Sequence, residues 1–380
     1  MSVIGSTVLR FDDEQAMLLD VARSFCASKG GLTEARRHLE TPLDHSPELW
    51  QEIVQMGWTG IGLPESVGGA GLGIGAAVPV LESMGRALLG TPLMSSLLGA
   101  QLLLRLNSRV AETILSEIAA GVPVCVAELE SEDWGDTELQ TVLDDSGCLQ
   151  GTKRMVMDLQ SARYALVTAR KRVASTGQIS EQSVLAVIDT GSLPGAAVTP
   201  RMLIDNTHRA ADLNLHAVRP TLVIESAGLD AAVSDYRLLG ALLVAAESAG
   251  AAAACLDIVV DYLKTRKQFG KLIGSYQALK HPAVDILNNV DSSRSFIYHA
   301  ASLLSGEPLS PDQAAACRMA KVQATDTLKE AGDRAVQFHG GMGFTWDCDA
   351  QLFIRRAQWA QQQFGDSQHH RKRLASHLLD

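Results

Sequence analysis

The chain has 380 residues, 46% apolar and 20% charged, with 33 basic side chains against 43 acidic ones and a net charge of −10. That composition excludes bulk disorder and the collagen and coiled-coil classes. The acidic balance excludes a general nucleic-acid binder, which needs a basic face to displace counterions. At roughly 150 residues per domain the length predicts two or three packed units.

The opening MSVIGSTVLRFDDEQ has no charged segment followed by an apolar run, so no secretory signal is expected. No stretch reaches ~18 apolar residues, and the most apolar one, Ala241–Cys255, contains Glu247, so no membrane span is expected. Six cysteines (Cys26, Cys125, Cys148, Cys255, Cys317, Cys348) are scattered without a CxxC pair. They read as small buried hydrophobes in a reducing compartment, which predicts a cytoplasmic protein and no metal site.

From Asp12 to Gly121 the apolar period is helical. Met17, Leu18, Val21 and Phe25 recur at three and four, with Asp12 placed to cap. Further helices are predicted at Pro47–Met56, Ala76–Leu89, Ser95–Leu106 and Ala111–Ala120, around a glycine-rich loop, Leu63–Gly75. From Val122 to Leu229 the period falls towards two. Short runs such as VPVCVAEL, YALVTAR and SVLAVIDT alternate with turn clusters such as DDSG and STGQ. No long amphipathic helix separates them, so an antiparallel sheet or small barrel is expected. Beyond Ser234 helices return, at Tyr236–Leu263 with an Ala/Gly-rich middle, then Tyr276–Ser305, Pro311–His339 and Asp349–Phe364. The expected domains are 1–121, helical; 122–229, β; and 230–380, helical: an α+β fold ending in a four-helix bundle.

Two segments can carry chemistry. In YLKTRKQFGKLIGSYQ (Tyr262–Gln277), Arg266 ends a long helix and Phe269–Gly270 make the stop. This is an ordinary helix C-cap or a phosphate site, since a guanidinium fork suits a pyrophosphate. In QFHGGMGF (Gln337–Phe344) paired glycines after a helix end it, or let a ligand reach the backbone. GLGIG at Gly71–Gly75 lacks the preceding strand of a dinucleotide loop. The histidines His339, His369, His370 and His377 have no metal-ligand spacing. The basic end HHRKRLASH reads as a solvated helix face, or as a partner for phosphate groups.

The helix–sheet–helix order with TRKQFGKLIGSYQ, QFHGGMGFT, LPESVGGAGLG and GTKRMV resembles the acyl-CoA dehydrogenase family over nearly the whole length. The resemblance implies an FAD enzyme that dehydrogenates an acyl-CoA thioester between its α and β carbons. A glutamate base takes the α-proton, the flavin takes the β-hydride, and an electron-transfer flavoprotein or similar acceptor takes the electrons. It places Arg266, Gln268, Phe269, Gln277, Gln337, Gly340 and Gly341 against the FAD of a neighbouring subunit.

Departures from the family pattern are concentrated at the base and the flavin ring. The Tyr-Glu-Gly-Thr string that usually carries the base is Phe364-Gly365-Asp366-Ser367 here, with glycine at the base position. The alternative base position, on the long helix, falls on Gly240. Glu247 stands two turns on, about a 10 Å rise away. Glu247 and Asp366 remain the candidate bases, with structural pairing and a loop aspartate as their ordinary readings. In the flavin-facing strings AELESEDWGD and Met155-Val156-Met157, thioethers and methyls replace hydroxyl donors. Glu128 is retained there and reads as a surface residue.

Keeping the segments that serve a neighbour's FAD while lacking both bases resembles the small subunit of heterotetrameric acyl-CoA dehydrogenases, of the pimeloyl-CoA or steroid type. A related partner chain is then expected to supply the base. A self-sufficient homodimer or homotetramer with a displaced base, and a non-catalytic acyl-CoA-binding subunit, are the alternatives.

Overall fold

The computed structural model describes residues 13–41, 45–135, 138–172, 179–305 and 308–379. The Asp12 cap and the STGQ turn expected above lie outside them.

Among the described residues six α-helices come first: α1 (Asp13–Ser28), α2 (Leu32–Leu39), α3 (Pro47–Gln55), α4 (Ala77–Arg86), α5 (Leu93–Arg105) and α6 (Glu112–Ala119). At the start of α3 the Ser46 side chain accepts the Leu49 N–H, and Pro47 occupies the first turn, where its missing N–H costs nothing. Helix α2 is not legible in the periodicity. It is one short amphipathic unit, LTEARRHL, that buries only Ala35 and His38. The Gly71–Gly75 segment follows no strand and leads into a 3₁₀ turn, Ile74–Ala76, ahead of α4, which removes the dinucleotide-loop reading.

The middle of the chain forms β1 (Val124–Ala127), β2 (Val142–Leu143), β3 (Leu149–Gln150), β4 (Thr152–Met157), β5 (Tyr164–Arg172), β6 (Ile179–Asp189), β7 (Val198–Arg201), β8 (Ala210–Asn214) and β9 (Leu222–Glu225). One sheet runs β3-β2-β5-β6-β9, with β1 also on β5, and the other runs β4-β8-β7. The expected antiparallel arrangement holds except that β1 and β2 both run parallel to β5. The register explains the exception. β1 covers Tyr164 to Val167 and β2 continues along the same side of β5 at Arg170 and Lys171, so the two lie in line as pieces of one interrupted strand. Cys125, Leu149, Val167, Ala211 and Leu213 close a dry core between the sheets.

The last third holds α7 (Leu229–Thr265), a hairpin of β10 (Lys267–Gln268) and β11 (Lys271–Leu272), then α8 (Gln277–Leu303), α9 (Pro311–His339), α10 (Ala350–Gln362) and α11 (Ser367–Leu379). Ser310 and Gln313 cap α9 reciprocally, which fixes its start. Helix α7 is long and apolar enough to cross a membrane by length and composition, yet 78% of its apolar window is buried inside the protein. Its small residues allow that burial: a Cβ on Gly250 would lie 1.8 Å from the Glu82 carbonyl oxygen, and one on Gly85 would lie 2.1 Å from that of Glu247. The α4 and α7 backbones therefore cross at glycine-to-carbonyl distance. Helices α7 to α10 form the bundle, and α11 packs on α9 as a fifth member.

Candidate functional site

Gly240, one expected base position, packs against Phe364, the residue before the other, Gly365. Phe364 and Gly365 join α10 to α11, and Gly240 lies in α7; a Cβ on Gly240 would sit 2.5 Å from the Phe364 ring. Phe364 takes a positive φ of 56° and Gly365 one of 98°. The Phe364 ring packs against Trp134 at 4.7 Å between centroids and edge-on to Tyr236 at 5.5 Å. Beneath the turn, the fully buried Lys321 donates to the carbonyls of Ala360 (2.9 Å) and Gly365 (3.0 Å). Burial pushes the Lys321 ammonium down to about 7, against the opposing pull of Asp366 and Asp326.

Both candidate bases are engaged structurally. Asp366 caps α11: its carboxylate accepts the His369 N–H at 2.7 Å and its carbonyl accepts that of His370 at 3.1 Å. Glu247, 3% exposed, is ion-paired to the fully buried Arg356 and lies 3.5 Å from His208 Nε2. Arg356 also pairs with Asp205 and donates to Thr207 Oγ1 at 2.6 Å. Burial raises the Glu247 carboxyl, but Arg356 and His208 outweigh it and hold the group below its ordinary value. Neither carboxylate lines the clefts beside Phe364.

Those clefts are unequal. A small one of about 40 Å³ is lined by Met94, Met155, Met157, Tyr236 and Phe364. A larger one of about 490 Å³ carries Arg170, Arg237, Arg318 and Arg373. Glu128, Trp134 and Phe364 border both. The expected surface reading of Glu128 is wrong: it is buried and ion-paired to Arg237, and burial raises its carboxyl despite that partner. The solvated-face reading of the basic end also needs correction. His370 is buried against Arg318 at 3.2 Å, and burial, with Lys321 and Arg318 beside it, pushes its imidazole down to about 3.

At the far end of the bundle the two motif segments converge. Tyr262 near the end of α7 stacks on His339 at the end of α9, ring centroids 4.2 Å apart. Arg266 follows α7, and Gln268, Phe269 and Gly270 form the tip of the β10–β11 hairpin. Phe269 is 91% exposed with φ 51°. Gln277 opens α8, Gln337 lies in the last turn of α9, and all of these side chains are exposed. Gly340 and Gly341 have no atom within 4 Å of where a Cβ would point. Phe344 and Trp346 are exposed beside them.

Profiles of the acyl-CoA dehydrogenase N-terminal and C-terminal domains match residues 12–121 and 227–379. The chain belongs to the acyl-CoA dehydrogenase family. Members are oxidoreductases acting on CH–CH bonds, and their cofactor is FAD. The chain is 27% identical over 97% of its length to the acyl-CoA dehydrogenase IpdE2 of Mycolicibacterium smegmatis, covering 99% of that protein. It superposes on the Tcur3481–Tcur3483 steroid ACAD with a TM-score of 0.81 at 26% identity, covering 97% of this chain and 98% of that one. For the ChsE4–ChsE5 complex of Mycobacterium tuberculosis the TM-score is 0.83 at 22% identity, covering 98% of each chain.

The bundle end and the centre of this acyl-CoA dehydrogenase chain offer a ligand different surroundings. At the bundle end, a guanidinium, three amides and an unshielded glycine pair offer the donors and backbone access that a diphosphate requires. At the centre, about 40 Å³ is room for about three water molecules, and Met155 and Met157 bring no hydroxyl to it. An isoalloxazine ring is larger than this cleft. Among the described residues Lys153, Lys321 and Arg356 are fully buried cations that the sequence did not reveal, because a lone Lys or Arg on a helix or strand carries no signal of burial.

Proposed function

We propose that this chain is one subunit of a cytoplasmic hetero-oligomeric acyl-CoA dehydrogenase. It contributes the surface that binds the adenosine-diphosphate half of an FAD whose flavin ring lies in a related partner chain. The observation that carries this reading is the pairing of an open, donor-rich bundle end with a centre in which Gly240 and Gly365 leave both expected base positions without a carboxylate and Glu128, the carboxylate bordering both clefts, is ion-paired to Arg237. Arg266, Gln268, Phe269, Gln277, Gln337, Gly340 and Gly341 hold the diphosphate and adenosine. The partner supplies the base, the flavin pocket and the acyl site, and an electron-transfer flavoprotein or similar acceptor re-oxidises the complex.

When bound, FAD accepts the β-hydrogen of the thioester as hydride. This chain's residues would bind and orient it: the Arg266 guanidinium would donate charge-assisted bonds to phosphate oxygens, and Gly340 and Gly341 would let the backbone approach them. Glu247 and Asp366 move no proton, the first neutralised by Arg356 and the second committed to its helix.

The test is co-expression with a related acyl-CoA dehydrogenase chain encoded beside it. Alone, the chain should retain no flavin and reduce no dye with an acyl-CoA. The pair should co-purify yellow, with one FAD per two different chains, and reduce the dye. Stoichiometric FAD and acyl-CoA oxidation by this chain alone would overturn the reading.

A further inference from the structure

We infer that Phe364 is a partition. Its ring, seated in the notch that Gly240 leaves in α7, separates the methionine-lined cleft from the arginine-bearing one and shuts flat ring systems out of this chain's centre. The inference deepens the proposed function and rests on its reading of the centre as non-catalytic.

The seat is specific. A Cβ at position 240 would meet three Phe364 ring carbons at 2.5 to 2.7 Å, closer than real contacts allow, so glycine is what admits the ring. The conformation is costly as well: Phe364 is a bulky residue at φ 56°, a region such residues avoid. A strained backbone persists only where its surroundings over-determine it. Here Lys321 holds the carbonyls on either side of the turn, and Trp134 and Tyr236 clamp the ring. Trp134 comes from the loop after β1, so residues distant in sequence build the wall together.

Position completes the argument. A phenylalanine serving only the core would be enclosed by it. Phe364 is half-buried and borders both clefts, as does Trp134. Deleting its ring would join the small cleft of about 40 Å³ to the large one of about 490 Å³. The space gained would set the Met155, Met157, Trp134 and Tyr236 side chains beside the charged Glu128 and Arg237, apolar faces on which a planar ring can stack.

Two measurements on the full chain, without partner or substrate, test this. Lumiflavin is titrated and its fluorescence followed. The wild type should show no saturable binding, whereas Phe364→Ala should bind at least tenfold more tightly and Phe364→Leu less tightly than Phe364→Ala. Saturable binding by the wild type at the affinity of the variant would overturn the partition, as would absence of binding by folded Phe364→Ala. The second measurement is a double-mutant cycle on melting temperature. Gly240→Ala should destabilise the wild type and cost little in the Phe364→Ala background, so strictly additive effects would refute the seat. If Phe364→Ala does not fold, Phe364→Leu carries both tests. Neither uses FAD turnover, so failure here leaves the heteromeric reading standing, and the readouts tell the two failures apart.

Discussion

The bundle end and the centre of this molecule are built from the same helices, α7 and α9, and differ in almost every physical respect. At the end, Arg266, Gln268, Phe269 and Gln337 face solvent and bond little within the chain. At the centre, Glu247, Arg356, Asp205 and Lys321 pair with one another or with the backbone, and Phe364 stands between the two clefts. The end has kept surface at the cost of internal contacts, and the centre has spent its polar groups on folding. Substitutions at the end should therefore alter binding with stability unchanged, and those at the centre the reverse.

The sharpest way to break that contrast is Arg356→Ala. It would leave Glu247 and Asp205 buried without their cation, and losing one partner of a buried ion cluster costs about 3–5 kcal/mol. Urea unfolding should show a loss of that size, and a near-neutral result would mean that the cluster is not holding α7, α10 and the β7–β8 loop together.

Next comes the pH response of Lys321. Its folded pKa, lowered to about 7, lies below the ordinary lysine value near 10.4. Above pH 7 the unfolded chain therefore binds a proton that the folded chain releases. Stability attributable to this residue rises with pH across that window and is lowest below pH 7. Melting curves of wild type and Lys321→Met between pH 7 and 9 should show the rise in the wild type alone.

At the other region, Arg266→Ala should weaken FAD retention by the assembled complex by about 1.5–3 kcal/mol, the range for a hydrogen bond to a charged group. The melting temperature of the isolated chain should not move. Equilibrium dialysis and thermal melts of the same preparation separate the two. A drop in melting temperature without loss of FAD would erase the contrast between the regions.

The smallest effect is that of Asp366→Ala. As the cap of α11 it should cost about 1 kcal/mol of stability, and turnover by the complex should be unchanged. A turnover collapse at unaltered stability would instead make Asp366 the proton acceptor.

The sequence alone determined the order helix, sheet, helix, the bounds of α9 to the residue, and both segments at the bundle end. Those features are local: the apolar period, a capping Ser310 and glycines at helix ends act within a few residues of themselves. It also determined that Gly240 and Gly365 carry no base, because an absent carboxylate is visible in the letters. What the letters could not show is that Gly240 seats the ring of Phe364, the neighbour of Gly365, that β1 and β2 lie in line along one side of β5, or that Glu128 and His370 are inside. Each of these depends on contacts between residues tens to hundreds of positions apart. Burial and ion pairing are properties of the packed neighbours, and only the folded chain says which neighbours a side chain has.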